Sequence, residues 1–190
     1  GEDRILGRIL ANDIQSQIVA DVRRQYEPDW NRRQLANRSY SEARTPSVPA
    51  ALLELLSHQN FADMKYGLDP AFRFTVSRAV YKGMLKFLSG RYGVRYCVQP
   101  LPVHSFSATL TGDGKVQLSW RPTLDSLELT AMPDRYMLYT RIDDGAFDNG
   151  ELLTGLRHED GRLTIDRNID QGHIYSYRIV ACNEGGRSFP

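Results

Sequence analysis

No part of this sequence is apolar for long enough to form a transmembrane helix. Such a helix needs about 20 consecutive, predominantly apolar residues, and no run among the 190 residues approaches that length. A signal peptide is also missing from the sequence, but the chain opens within a helical pattern. We therefore expect no membrane span, and we interpret the ends of the chain as those of a fragment.

Cysteine is scarce, because the chain has only Cys97 and Cys182. Their spacing does not fit the paired cysteines of a zinc site. One cysteine in each half leaves the question of a disulfide, and with it the redox compartment, open. The sequence also has no Gly-rich phosphate-binding loop and no suggestion of a Ser-His-Asp order. Nucleotide-binding and serine-hydrolase motifs are therefore not recognised.

A strong net charge is missing as well. The formal net charge is +1, which argues against a dedicated nucleic-acid-binding protein. The charge is unevenly distributed, since residues 1–99 hold 15 Lys and Arg against 10 Asp and Glu, whereas residues 100–190 hold 9 against 13. A change of sign near the middle of the chain predicts two separately built units.

The first half contains two helical patterns. Apolar residues recur at intervals of four, which is typical of an amphipathic helix, and predict helices over about 2–26 and 70–89. Asp69 and Pro70 form a favourable helix start, and Gly90 is the predicted end. We expect both helices to pack on a sheet.

That sheet is predicted to include a strand over residues 50–54. Pro46 and Pro49 interrupt any helix before it, and the short apolar run that follows is consistent with a buried strand. Glu54 stands at the end of this run. Ligands and chemistry usually gather at the strand ends of α/β sheets, so Glu54 is our candidate catalytic residue.

A resemblance supports this choice. The sequence Pro-Ala-Ala-Leu-Leu-Glu at residues 49–54, followed by Asn60 and Asp63 and preceded by Arg44, resembles a motif of zinc-dependent N-acetylmuramoyl-L-alanine amidases. These enzymes cut the bond between muramic acid and the stem peptide of peptidoglycan. The resemblance implies that residues 1–98 are the C-terminal part of an amidase-like α/β domain, with helices packed on a partial sheet. It makes Glu54 the catalytic acid/base, and Arg44 and Asn60 substrate-binding residues.

The zinc ligands of that family are not recognised in this chain. The family draws them from segments upstream of the first predicted helix, and the four histidines match none of those motifs: His58, His104, His158 and His173. We therefore expect zinc in the parent family but none in this chain alone, which should be inactive by itself. Leu56-Ser57 also replaces the family's usual Gly-Phe, a difference that bears on activity more than on fold.

The second half follows a different pattern. Residues 99–102, Gln-Pro-Leu-Pro, predict a stiff linker, and beyond them the hydrophobic period changes to two. Val116, Leu118 and Trp120 alternate with polar residues, and turn residues such as Asp143-Asp144-Gly145 separate short runs. This pattern predicts an all-β, immunoglobulin-like sandwich over residues 103–190.

Residues 175–190 resemble strand F of a fibronectin type III domain and the turn after it. The resemblance implies that Tyr175, Tyr177, Ile179 and Ala181 point inward, with Tyr175 as the tyrosine-corner residue and Trp120 as the core tryptophan of strand B. Cys182 is then expected to face outward as an exposed thiol. The pattern stops where strand G should begin, so strand G is expected to be missing and the outer edge of strand F unpaired.

Three functions remain open at this point. The first is part of a secreted, periplasmic or cell-surface bacterial hydrolase that cleaves the muramoyl–peptide amide. The second is a non-catalytic glycan-binding or adhesion spacer module. The third is part of a secreted polysaccharide-degrading protein of the kind labelled xanthan lyase. In each case the expected partner is peptidoglycan or another cell-surface glycan, without nucleic acid.

Overall fold

The structure is a computed structural model that describes residues 2–190, with the side chain of Glu2 left undescribed. It divides the chain into two compact units, Gly1–Tyr96 and Cys97–Pro190. The described elements of the first unit are helices, and the second unit contains two antiparallel sheets. None of the described helices has the length and apolar character needed to cross a membrane.

The first unit contains two long and two short helices. They are α1 (Glu2–Gln25), α2 (Ser41–Arg44), α3 (Phe61–Gly67) and α4 (Pro70–Tyr92), so both predicted long helices are confirmed. Asp69 caps α4 by accepting a hydrogen bond from Ala71 N at 2.9 Å. The helix continues past Gly90, its predicted end, because Gly93 supplies the left-handed residue at φ 64° and donates its N–H to Ser89 O.

The core of the first unit lies between α1 and α4. Its buried apolar side chains come from both helices: Ile18, Val22, Phe72, Val76 and Ala79. The helices approach closely at Gly83, where a Cβ atom would lie 2.6 Å from Ile14 Cα. The rings of Tyr26, Trp30 and Tyr66 pack around Phe72 with centroid distances between 5.1 and 5.8 Å.

The predicted strand at residues 50–54 was wrong. These residues form neither a helix nor a strand, and the described part of the first unit contains no sheet. A strand needs a neighbouring strand to satisfy its backbone hydrogen bonds, and none is present there. As a result Leu52 and Leu53 are 44% and 46% exposed. The long helices therefore pack against each other rather than on a sheet.

Helix α4 is apolar on two opposite faces. One face, which includes Phe72 and Ala79, is buried against α1. About half a turn away, Phe74, Met84 and Leu88 are between 42% and 48% exposed. The apolar pattern that predicted a sheet-covering helix therefore included side chains that the described residues leave exposed.

The second unit consists of two four-stranded sheets. Its strands are β1 (His104–Gly112), β2 (Lys115–Arg121), β3 (Arg135–Ile142), β4 (Glu151–Leu152), β5 (Arg157–Glu159), β6 (Arg162–Asn168), β7 (Tyr175–Asn183) and β8 (Gly186–Arg187). The first sheet has the order β1-β2-β6-β5 and the second the order β4-β3-β7-β8. All neighbouring strands are antiparallel.

Alternating side chains of both sheets form one core, as the sequence period predicted. Leu118 and Trp120 from β2 meet Leu138 from β3 and Ile179 from β7, and each of these residues is at most 2% exposed. The ring of Trp120 packs edge-on against Tyr136 at 5.4 Å. The inward side of β7 is confirmed for Ile179 and Ala181, and Tyr177 packs against the same core.

The prediction that Cys182 is an exposed thiol was wrong, because only 3% of the residue is exposed. Cys182 pairs with Arg135 of β3 on one side and Arg187 of β8 on the other. Directly opposed residues share a face of the sheet, and the apolar stems of long arginine side chains cover their neighbours. Burial accordingly raises the pKa of the Cys182 thiol.

Two further expectations for the second unit need correction. Strand G is not wholly missing, since β8 pairs with Cys182 and Asn183 of β7. Residues 99–102 do not form a free linker, because Pro100 is almost fully buried within the second unit. Asn183 fixes this entering segment by donating from Nδ2 to Val98 O at 2.9 Å.

Candidate functional site

Glu54, the predicted catalytic acid/base, lies on the irregular segment between α2 and α3. The residue is exposed, and within the described part of the chain no hydrogen bond or ion pair reaches its carboxylate. A catalytic carboxylate normally acts beside other groups that tune or position it. The structure thus leaves Glu54 accessible to a ligand, and no described residue bonds to its carboxylate.

Arg44 and Asn60, the predicted substrate-binding residues, make local contacts instead of contacts with Glu54. Arg44 Nη1 donates to Ser39 Oγ at 3.3 Å. Asn60 caps α3, since its Oδ1 accepts from Ala62 N at 2.9 Å. Asn60 therefore caps the helix that follows the Glu54 segment, and no described hydrogen bond joins the side chain of Arg44 or Asn60 to Glu54.

The described residues do not supply a zinc site. No three His, Cys, Asp or Glu side chains that the structure describes are grouped closely enough to hold a metal ion. His58, the histidine nearest to Glu54 in the sequence, is exposed. The residues present therefore do not fit a catalytic zinc, which needs three protein ligands and an open position for water.

A second candidate site lies on the outer face of the β4-β3-β7-β8 sheet. Alternation along the strands places four arginines there, and we call this surface the arginine face: Arg135 and Arg141 of β3, Arg178 of β7 and Arg187 of β8. Among the described positions that β3, β7 and β8 contribute to this face, none is Asp or Glu. The face therefore carries a local excess of positive charge within a unit of negative formal charge.

Aromatic rings hold the guanidinium groups of this face in place. Arg178 Cζ lies 4.0 Å from the centre of the Phe147 ring, and Arg141 Cζ lies 5.2 Å from it. Arg187 Nη1 donates to Tyr139 Oη at 2.8 Å. Cation–π contacts of this kind attract a cation to the negative face of a ring, so the rings position the charges without neutralising them.

The four arginines differ in their polar partners. Arg135 forms an ion pair with Asp134 at 3.0 Å, and Arg141 donates to Ser176 Oγ at 3.0 Å. Among the described side chains, no carboxylate contacts Arg178 or Arg187. Arg178 and Arg187 therefore retain N–H donors for an anionic ligand, and Arg141 is likewise without a carboxylate partner among the described side chains.

Both groups border an open groove of about 250 Å³. Tyr139 and Phe147 form part of its lining, together with Val180. Gly150 makes room for the Tyr139 ring, because a Cβ atom there would lie 2.7 Å from that ring. Gly150 also adopts a φ of 83°, a conformation that favours glycine.

Sequence reasoning missed this site because it followed the inward-facing residues of the last long strand. The outward positions held the relevant residues, since Arg135 and Arg141 lie on the outward side of β3 and Arg178 on that of β7. Comparison with protein-family models gives no match to this chain, and comparison with curated proteins gives none either. The assignment of function therefore depends on the geometry of the described residues.

Proposed function

We propose that this chain is the glycan-binding part of a secreted bacterial cell-wall hydrolase and that it does not catalyse hydrolysis by itself. The observation that carries this proposal is the arginine face, where Arg178 and Arg187 border an aromatic groove without a carboxylate partner among the described residues. No hydrogen bond or ion pair from a described residue reaches the Glu54 carboxylate. The geometry thus favours binding over catalysis.

The proposed sandwich domain is of the fibronectin type III kind. Two antiparallel sheets that pack over an alternating core are typical of that architecture. Tyr175, at the start of β7, accepts a hydrogen bond from Asp170 N through its hydroxyl at 3.0 Å. A tyrosine corner makes such a bond to the backbone a few residues upstream, which supports the role that the sequence suggested for Tyr175.

The proposed role of the first unit is that of an amidase-like portion. Supporting features are the order of α1, the Glu54 segment and α4, together with the exposed position of Glu54. In this proposal Glu54 is the acid/base of a complete domain whose zinc ligands come from outside the described residues. Because the described residues do not fit zinc, we assign no reaction step to this chain.

The test measures binding and hydrolysis separately. The full chain is sedimented with purified, insoluble peptidoglycan and is also assayed on muramoyl dipeptide. We expect co-sedimentation that reaches saturation and no release of peptide. Glu54→Gln serves as a matched variant, and since Glu54 belongs to the first unit and the arginine face to the second, its binding should equal that of the native chain.

Two results would overturn the proposal in different ways. Hydrolysis by the chain that disappears in Glu54→Gln would assign catalysis to residues that we consider insufficient for it. A folded chain that sediments with neither peptidoglycan nor any other cell-surface polysaccharide would remove the binding function. Circular dichroism of each sample confirms that both helices and sheets are present.

A further inference from the structure

We infer that the arginine face binds the carboxylate groups of an acidic glycan, with Arg178 and Arg187 as the ligand-binding residues. This inference rests on the proposed glycan-binding function and extends it by naming the chemical class of the ligand. The binding groups are two guanidiniums and two aromatic rings, those of Phe147 and Tyr139, that border one groove.

The choice of a carboxylate follows from the donors that remain. A guanidinium has five N–H donors in a planar fork that matches the two oxygens of a carboxylate. Arg187 makes one side-chain hydrogen bond, to Tyr139, and Arg178 lies over the Phe147 ring with its Cζ 4.0 Å from the ring centre. The edges of both groups therefore retain donors, while no acidic side chain at the described strand positions of this face competes for them.

The two arginines are also held in place before a ligand arrives. An arginine side chain that is mobile loses rotational freedom when it binds, and this loss weakens binding. The Phe147 ring at 4.0 Å and the Tyr139 hydroxyl at 2.8 Å restrict Arg178 and Arg187 respectively. Gly150 in turn permits the position of the Tyr139 ring. This support from neighbouring residues is typical of a binding site.

The β3–β7 side of the groove favours recognition through side chains. Peptides that bind to sheets commonly add a strand to an unpaired edge and use its backbone hydrogen bonds. This groove lies on the face formed by β3 and β7, which pair with each other from Arg135 to Ile142. Their facing backbone groups are already bonded, so a ligand on the face is recognised through side chains.

The size of the groove suggests that it holds one unit of a longer ligand. Pockets for small molecules commonly enclose about 300–1,000 Å³, whereas this groove measures about 250 Å³ and is open to solvent. One acidic sugar ring can meet the arginines while neighbouring sugars extend along the open face. Repeated carboxylates along the glycan then raise the apparent affinity through repeated encounters with the same site.

The test compares acidic and neutral glycans on the full chain. Isothermal titration calorimetry with oligogalacturonate, which carries one carboxylate on each ring, is compared with neutral malto-oligosaccharide of equal length. The double variant R178Q/R187Q should lose about tenfold or more of its affinity for oligogalacturonate. The double variant R157Q/R162Q removes the same charge from the other sheet and should change the affinity less than about twofold, because exposed charges elsewhere act only through screened, long-range attraction.

A milder variant keeps the inference testable if the double variant does not fold. Tyr139→Phe retains the ring but removes the hydroxyl that accepts from Arg187, and it should weaken oligogalacturonate binding by a few-fold. Thermal unfolding of each variant establishes that it is folded. Equal weakening in the R157Q/R162Q control would show that net charge, rather than this site, determines binding.

The remaining outcomes separate this inference from the proposed function. Binding to neutral and acidic glycans with equal affinity would overturn the inference and leave glycan binding intact. Stronger binding to poly-glutamate than to oligogalacturonate would replace the glycan by an acidic peptide. Retained co-sedimentation of R178Q/R187Q with peptidoglycan would place the binding site elsewhere, whereas failure of the native chain to sediment with any glycan would overturn the proposed function itself.

Discussion

Lys82 Nζ lies 2.6 Å from Asp21 Oδ2, and the two side chains are only 1% and 5% exposed. They join α4 to α1 inside the first unit. Gln17 Nε2 donates to the other carboxylate oxygen of Asp21 at 3.0 Å. Removing two charges from water is costly, and their mutual attraction offsets that cost only while both partners are present.

Asp21→Asn should therefore destabilise the first unit by about 3–5 kcal/mol, because it leaves the Lys82 ammonium buried without its counter-charge. The matched variant Asp21→Leu/Lys82→Met removes both charges and should be close to neutral or more stable. A urea titration, monitored by the loss of the helical circular dichroism signal, measures the stability of both variants. Equal stability of the native chain and Asp21→Asn would contradict the buried position of the pair.

Gly83 should not tolerate a larger residue. A Cβ atom there would lie 2.6 Å from Ile14 Cα, which is a backbone atom that cannot move away alone. Gly83→Ala should therefore cost about 1–3 kcal/mol through separation of α1 and α4. Gly90 is the control on the same helix, since no atom lies within 4 Å of its added Cβ. Gly90→Ala should be neutral or stabilise by about 0.5–1 kcal/mol in the same urea titration.

The hydroxyl of Tyr175 should contribute more to the stability of the second unit than the hydroxyl of Tyr177 does. Tyr175 Oη accepts from Asp170 N at 3.0 Å, whereas no hydrogen bond of the Tyr177 hydroxyl is found among the described residues. Tyr175→Phe should lower the free energy of unfolding by about 1 kcal/mol. Tyr177→Phe should have a smaller effect on the unfolding of the sheets. The opposite ranking would argue against a tyrosine corner in this unit.

His173 and Asp143 should make the stability of the second unit depend on pH. His173 Nδ1 lies 2.7 Å from Asp143 Oδ2, and Asp143 Oδ1 accepts from Ile174 N at 2.8 Å. The hydrogen bond with Asp143, together with the charges of Asp143 and Asp170, raises the pKa of His173 above 6.5. The Ile174 N–H and then the His173 bond lower the pKa of Asp143 below 3.8.

The direction of each effect follows from these pKa shifts. The contribution of His173 to the stability of the fold is complete below pH 6.5. It is lost as the pH rises through the raised pKa of His173 in the folded protein. The contribution of Asp143 to the stability of the fold is complete above pH 3.8. It is lost as the pH falls through the lowered pKa of Asp143 in the folded protein. The pair therefore stabilises the folded chain most between these two values.

Nuclear magnetic resonance titration of the His173 ring checks this prediction. Its pKa should exceed 6.5 in the native chain and should decrease in Asp143→Asn, which removes the negative charge but preserves the shape of the side chain. The unfolding midpoints at about pH 5.5 and about pH 8.5 should also differ less in the variant than in the native chain. An unchanged His173 pKa in Asp143→Asn would mean that the two side chains are not in contact in solution.

The helices were predictable because their signal is repeated along the chain. In α1 and α4 an apolar residue returns at every fourth position, from Leu6 to Val22 and from Phe72 to Leu88, and each repeat adds evidence for the same period. The run at residues 50–54 offers no such repetition. A strand depends on a partner elsewhere in the chain, and the sequence of the run does not contain information about whether that partner exists.

The site was less predictable because it depends on relations between strands. Arg178 could be recognised as an outward residue of β7, but its contact with Phe147 depends on the loop that follows β3. Cys182 was also assigned to the outward side, yet it is buried between its strand partners Arg135 and Arg187. A single strand pattern predicts the side on which a residue lies, whereas neighbouring strands decide what covers it.

Because Cys182 is buried, its reaction with a thiol reagent can be used to detect local opening of the second unit. Cys97 is partly exposed, whereas Cys182 is buried and its thiol has a raised pKa, so the reactive thiolate is both rarer and harder to reach at Cys182. A thiol reagent should label Cys97 first and Cys182 only when β8 or its arginine side chains move aside. The labelling rate of Cys182 would then measure how often this edge of the sheet opens, on a timescale that leaves the rest of the fold intact.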